Sequence, residues 1–297
     1  MKHLRAEVRP GAFVAKLAGC AGLTAGGVAL AVGSSPALWV PGVLLLGAMF
    51  AHAAELQHQA LHNLGFRRRR ANTVAGVALG MPMLVSFAAY RASHLRHHRD
   101  LGTPQNREFF DYGDQYGTAA GSPRWAVALG WLLRFSMILH YAQVVRTLGR
   151  TLAGRDIPGE TARTSRRIRR DHWLMLAAVG ALATAAALLD PMLIVRVWLL
   201  PLVAVACPVH AAIELPEHFR CDPATTDPFA NTRTIRSTRF ATWFTNGNNY
   251  HVEHHLMPNL PIERLPELHA SVRDRLRHFN PSYVDYFRSL LRGKADR

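Results

Sequence analysis

The stretch Asn248-Asn249-Tyr250-His251-Val252-Glu253-His254-His255 decides how this chain reads. Its three histidines follow the pattern HxxHH. The same pattern stands at His94-Leu95-Arg96-His97-His98, and a shorter relative, His58-Gln59-Ala60-Leu61-His62, precedes it. Residues three and four apart share one face of a helix, so His251, His254 and His255 can converge. Neighbours in sequence diverge by roughly 100° around the helix axis, so His254 and His255 reach two different ions better than one. A lone histidine beside an apolar run is ordinarily a hydrogen-bonded core residue. Here eight of the sixteen histidines fall in three short patterns, each abutting a hydrophobic segment. That concentration suits a dinuclear transition-metal centre. The carboxylate-rich ExxH pairs of soluble di-iron bundles are not evident, and an all-imidazole set selects iron, copper or zinc by ligand type. A catalytic zinc uses three protein ligands and a water, so two irons fit the count better. Zinc outranks Fe(II) in the divalent affinity order, which leaves a purified sample open to mismetallation.

Composition bounds what surrounds the site. The 297 residues are 49% hydrophobic yet carry a formal charge of +15, a combination that implies apolar spans separated from basic loops. No zinc finger, basic zipper or RNP-like aromatic motif accompanies the charge, so no nucleic-acid partner is expected. Cys20, Cys207 and Cys221 are widely spaced and form no CxxC, which argues against a disulfide framework or an iron–sulfur site. The basic start (Lys2, Arg5, Arg9) resembles that of a signal peptide. The apolar stretch after it is too long for one, and a second follows at once, so an uncleaved membrane helix is expected.

In order along the chain, apolar runs over about 13–32 and 37–57 are separated by Gly33-Ser34-Ser35-Pro36 and read as a first pair of spans. Arg67-Arg68-Arg69-Arg70 follows and marks the cytoplasmic side. Ala71–Tyr90 is uncharged and long enough to span. A crossing there would put the first two histidine boxes on opposite faces, so a re-entrant or in-plane segment is expected. A polar stretch runs from Arg99 to Pro123, and Trp125–Val145 reads as an amphipathic helix at the interface. A second arginine cluster (Arg163, Arg166, Arg167, Arg169, Arg170) precedes spans at about 173–189 and 192–213, which turn at Asp190-Pro191. The expected fold is an all-α integral membrane protein with four transmembrane helices in two hairpins. Interfacial or re-entrant helices and a histidine-rich cytoplasmic cap, built from 58–170 and 214–297, complete one domain over 1–297. The expected location is the cytoplasmic (inner) membrane, with the histidine site facing the cytoplasm.

HQALH, HLRHH and HVEHH, in that order and separated by hairpins, resemble the membrane fatty acid desaturase and hydroxylase superfamily. YRASHLRHH (90–98), ELPEHF (214–219), NTRTIRS (231–237) and NNYHVEHHLMPNLP (248–261) resemble its bacterial fatty acid desaturases. The resemblance implies two iron ions, a membrane-embedded acyl tunnel, molecular oxygen and a separate electron donor. It also implies a ninth ligand just beyond the fourth span, for which His218 is the candidate. The expected metal set is then His58, His62, His94, His97, His98, His218, His251, His254 and His255. Metal-bound imidazoles need partners that orient them; Asn246, Asn248, Asn249 and Tyr250 are placed for this. Glu214 stands four residues from both His210 and His218, although Pro216 would disturb a continuous helix there. His210 reads as a core or ligand-supporting residue. Glu253 is expected to pair with an arginine, Arg233 is a candidate partner for an acidic group, and His52, His140, His172 and His269 read as structural.

The expected reaction introduces a double bond into a fatty acyl chain carried on a lipid or a thioester. A hydroxylase or ketolase acting on a lipid, carotenoid or alkane is the enzymatic alternative. The HxxxH first box and the NYHVEHHLMP phrase lean toward the desaturase. A membrane metal carrier or sensor would place its metal-binding groups inside the spans, whereas these boxes sit at span ends. No HPGG sequence marks a fused heme domain, so a ferredoxin-like or other carrier is expected to dock on the basic face.

Overall fold

The computed structural model describes residues 7–106 and 123–292; Lys2, Arg5 and most of the Arg99–Pro123 stretch lie outside these. The described residues are mostly helical. In order they form α1 (Pro10–Ala31), α2 (Pro36–Leu61), α3 (Arg69–Gly80), α4 (Phe87–Asp100), α5 (Arg124–Phe135), α6 (Ile138–Leu152) and α7 (Ala162–Leu189). A long helix α8 (Met192–His218) follows, then α9 (Arg239–Phe244), α10 (His251–Leu256), α11 (Leu265–Val272) and α12 (Tyr283–Leu291). One departure from an all-α chain is a two-residue parallel bridge between β1 (Thr234–Ile235) and β2 (Phe279–Asn280).

Four helices, α1, α2, α7 and α8, are long and apolar enough to cross a membrane. Proline opens both α1 and α2 at a position whose N–H has no helical partner to lose. The two helices pack where glycine lets backbones meet, an arrangement suited to lipid, where small residues permit close van der Waals contact. Gly42 faces the backbone of Ala31 and Gly27, and a Cβ on Gly47 would stand 2.6 Å from the Pro201 carbonyl oxygen of α8. The core between them holds Leu46, Met49, Phe50, Leu56, Met83, Phe87 and Leu202. Val14, Leu23, Leu174 and Leu188 remain exposed on the outer faces of α1 and α7.

The uncharged run Ala71–Tyr90, expected as a re-entrant or in-plane segment, forms no single helix, because Met81–Ser86 divides α3 from α4. Other expectations need correction. The segment Trp125–Val145 is two helices bent by 53°, with Met137 between them in the left-handed region (φ 53°). The helix expected from 173 begins at Ala162, capped by the Thr161 side chain, which accepts from Thr164 N. Its arginines, good helix formers, extend the helix beyond its apolar portion. The helix expected to end at 213 continues to His218 through Pro216, which forfeits one hydrogen bond only two residues from the helix end. Further back in α8, Pro201 starts a π-type stretch (Pro201–Ala206), where widened turns absorb its missing N–H.

Replacing Gly47 with leucine is expected to lower stability by about 1–3 kcal/mol through overpacking against α8. Gly22, whose added Cβ would meet nothing within 4 Å, should accept leucine with little change. Thermal unfolding in detergent checks the pair, and equal melting of the two variants would contradict the packing described.

Candidate metal centre

Four helices and the turn after one of them bring the histidines together. α2 carries His58, and His62 caps its C-terminal end. α4 presents His94, His97 and His98 at helical spacing, α8 ends at His218, and α10 carries the third box. The start of α4 is fixed from α7. The carboxylate of Asp171, fully buried, accepts from Ser86 Oγ (3.0 Å) and Ala88 N (2.9 Å), so a residue of α7 aims the second box. A second brace joins α8 to α10. Arg233 N donates to the Glu217 carbonyl (2.8 Å), and its guanidinium donates to the carbonyls of Pro216 and Phe219 (both 3.1 Å). The next residue, Thr234, donates through Oγ1 to Glu253 Oε2 (2.6 Å) and accepts from Val252 N (3.2 Å). Arg233 is therefore a buried brace, 1% exposed. Tyr286 is buried with the Arg233 guanidinium 5.1 Å above its ring.

The histidines fall into two groups whose ligand atoms each lie within 4.8 Å of one another. The first contains His58, His62, His94, His98 and His254; the second contains His97, His218, His251 and His255. Sequence neighbours separate as the helix geometry requires, His98 from His97 and His254 from His255. In the first group His94 Nε2 lies 2.8 Å from His58 Nε2 and 3.0 Å from His98 Nε2, which is 3.0 Å from His254 Nε2. In the second, His218, His97, His255 and His251 form a ring of Nε2–Nε2 contacts of 3.1, 3.3, 3.1 and 3.2 Å.

These separations test whether a metal fits. Nitrogens about 2.0–2.1 Å from a common ion lie about 2.9 Å apart at right angles and about 3.3 Å apart at the tetrahedral angle. The observed contacts span that range. Neutral imidazoles cannot all satisfy one another, since each offers one donor nitrogen, and the outer nitrogens consume those donors. His58 Nδ1 lies 2.7 Å from Asn248 Oδ1, His97 Nδ1 3.0 Å from Asn106 Oδ1, and His218 Nδ1 2.9 Å from the Asn231 carbonyl. Each partner accepts a hydrogen, which fixes the tautomer with the Nε2 lone pair turned inward. His62 Nε2 is buried with no hydrogen-bond partner. Burial first, and neighbouring imidazoles second, push His62, His94, His251, His254 and His255 well below the usual histidine range. They are held neutral, the form that binds metal. The residues fit a pair of ions.

The residues expected to support the ligands divide. Asn248 uses both ends of its amide, since Nδ2 donates to Glu55 Oε2 at 2.5 Å while Oδ1 faces His58. Asn249 bonds instead to the Ile235 carbonyl (2.9 Å) and Thr245 Oγ1 (3.2 Å), and so shapes the loop before α10. Asn246 reaches the Glu55 carbonyl and Gln59 Oε1. Glu214 gathers with Glu55 and His210. Glu253 pairs with His269 Nδ1 (2.6 Å), not with an arginine. Sequence reasoning missed two carboxylates, Glu55 and Glu217. Glu55 connects His210 Nδ1 (3.1 Å) to Asn248, and Glu217 Oε2 lies 3.2 Å from His251 Nε2. The spacing of Glu55, one helical turn before His58, was the available signal.

Glu55 thus holds the Asn248 amide in the one orientation that turns its oxygen to His58. Glu55→Gln and Asn248→Ala are each expected to weaken metal binding about 10- to 100-fold. Because they act in series, the double variant should be little worse than the worse single one. Metal per chain after competition with a graded chelator measures this, and full retention in Glu55→Gln would remove the carboxylate from the chain of contacts. The sequence matches the family model described as fatty acid desaturase over residues 34–287. No curated protein matches it.

Proposed function

The chain belongs to the fatty acid desaturase family, and from that premise we propose that it is a membrane di-iron enzyme that introduces a double bond into a fatty acyl chain. The observation that carries this reading is the division of nine buried or half-buried imidazoles into two groups of metal-binding size. Iron is proposed because an all-nitrogen set of this number exceeds what one catalytic zinc uses. The proposed ligands are His58, His62, His94, His98 and His254 for one ion, and His97, His218, His251 and His255 for the other. Bound iron would supply the activation of molecular oxygen. In overall balance, O2 with two electrons and two protons from outside takes two hydrogens from adjacent acyl carbons, leaving a double bond and two waters. The protein's own residues hold the imidazoles neutral and pre-oriented, and the packed helices fix which acyl carbon approaches them.

We further propose that α1–α2 and α7–α8 cross the membrane as two hairpins within one domain. The arginines at the starts of α3 and α7 then place the histidine site on the cytoplasmic face of the inner membrane. α3, α4, α5 and α6 would lie at or near the interface. Electrons would come from a ferredoxin-like or other acidic carrier drawn to that basic face.

Lipids and acyl thioesters from a host expressing the chain, compared by mass spectrometry with a His254→Ala control, test the reaction. A species two hydrogens lighter is expected, and His254→Ala should reduce it by more than about 100-fold, beyond the loss typical of a residue that only orients a ligand. A product gaining one oxygen would move the assignment to a hydroxylase. Undiminished product from folded His254→Ala would overturn the site.

A further inference from the structure

Beside the ligands, α2 and α8 bury a second polar cluster. Glu55, His210 and Glu214 present polar atoms that lie within 4.8 Å of one another. Glu55 and His210 are buried, and Glu214 is half-buried. Glu55 uses both oxygens, Oε1 toward His210 Nδ1 (3.1 Å) and Oε2 toward the Asn248 amide. Other titratable groups face the cluster. His52 stands one turn before Glu55 on α2 and donates through Nδ1 to the Phe244 carbonyl (2.7 Å). Glu217 follows Glu214 by one turn of α8, and its Oε2 lies 3.2 Å from His251 Nε2. Burial first, and then the charges of Glu217, Glu55 and Glu214, push the Tyr283 phenol of α12 well above the usual tyrosine range. On α6, burial and then the charge of His210 push His140 down to about 3. Near neutral pH Tyr283 therefore keeps its proton and His140 takes none, which leaves exchange to the cluster.

Charge sets how many protons the cluster holds. Two carboxylates and one imidazolium leave a net negative charge, and burial disfavours a charge without a counter-charge. A second proton, on a carboxylate, makes the three groups neutral. Two protons are also what each turnover of the proposed reaction draws from outside. The cluster stands between the two histidine groups. Glu55 reaches His58 of the first through Asn248, while Glu214 shares a face of α8 with Glu217, which adjoins the second. Polar atoms at such separations are readily joined by one water.

We infer that Glu55, His210 and Glu214 are the proton store of the metal centre, and that Glu214 is the residue through which protons pass from outside to the oxygen being reduced. This rests on the oxygen-dependent reaction proposed above. In each passage a Glu214 carboxylate oxygen gains a proton from solvent, forming an O–H bond, and loses it inward when that bond breaks. The residue ends unchanged, the electrons come from the external carrier, and the protons end in water. Electrons added to the ions lower the positive charge beside the cluster and so raise its hold on protons. Electron uptake and proton uptake are thereby coupled.

Redox titration of the purified, iron-loaded, full-length chain without substrate tests the coupling. The reduction potential of the parent chain should fall as pH rises, because electrons arrive with protons. Glu214→Gln should flatten that slope and Glu214→Asp should restore it, with both variants retaining both ions against a graded chelator. In turnover, Glu214→Gln should lower the rate at neutral pH about 100-fold, the low end of what positioned proton transfer contributes. Its residual rate should fall as pH rises, since only free protons then reach the centre. The unused oxygen should appear as hydrogen peroxide, made from O2, two electrons and two protons of bulk water. A residue that only supports packing would lower stability or metal content and leave the slope of potential with pH unchanged. A parent potential independent of pH, an unaltered slope in Glu214→Gln, or loss of metal from both variants overturns the inference. A centre that takes up no electrons overturns it together with the proposed function. A product that gains oxygen, with the slope intact, would revise the reaction while upholding the proton store.

Discussion

The structure depends on turning many imidazole lone pairs toward two buried points. Such an arrangement is unfavourable by itself, since inward-facing acceptors in a protein interior lack donors. Protonation would supply donors, but burial and mutual repulsion oppose it. A cation at each point resolves the conflict. This is why the donor hydrogens are drawn outward to Asn248, Asn106 and the Asn231 carbonyl. It also explains the bracing that surrounds the site. Asp171 aims α4, Arg233 ties the end of α8 to β1, and Thr234 and His269 hold Glu253 inside α10.

Much of this was legible in the sequence because the controlling signals are periodic and local. The HxxHH spacing carries its own geometry, so the separation of His254 from His255, and of His97 from His98, follows from the helix alone. Four apolar segments of sufficient length are visible in the same direct way. The boundaries that went wrong have a shared cause. Hydropathy finds where lipid contact stops, not where the helix stops, so α7 and α8 both extend past their apolar portions. At Pro216 a local rule against proline lost to a tertiary demand, the placement of His218, at the cost of one hydrogen bond.

Long-range contacts were the illegible part. Glu253 has an ordinary partner, His269, sixteen residues away, and no charge pattern picks it over the many arginines. Asn248 and Asn249 are adjacent and chemically identical, yet one touches a ligand and the other pins a loop. Glu55 stands on the helix that carries the first box, but its partners come from α8 and the loop before α10, at separations of 155 and 193 residues.

The two histidine groups are not equivalent in their support. The first draws four of its five residues, His58, His62, His94 and His98, from α2 with its C-terminal turn and from α4. Its anchor runs from His58 through the Asn248 amide, in the loop before α10, to the carboxylate of Glu55 on α2. The second has its histidines anchored by the Asn106 side chain and the Asn231 carbonyl, both in polar connections, and has Glu217 beside it. A negative charge next to a bound cation is favourable, and the second position has such a carboxylate within reach. The groups are nevertheless locked together, because His97–His98 and His254–His255 each contribute one residue to either side. Any tilt of α4 or α10 moves a ligand in both groups at once. The spacing between the two positions is therefore set by helix geometry rather than by loops.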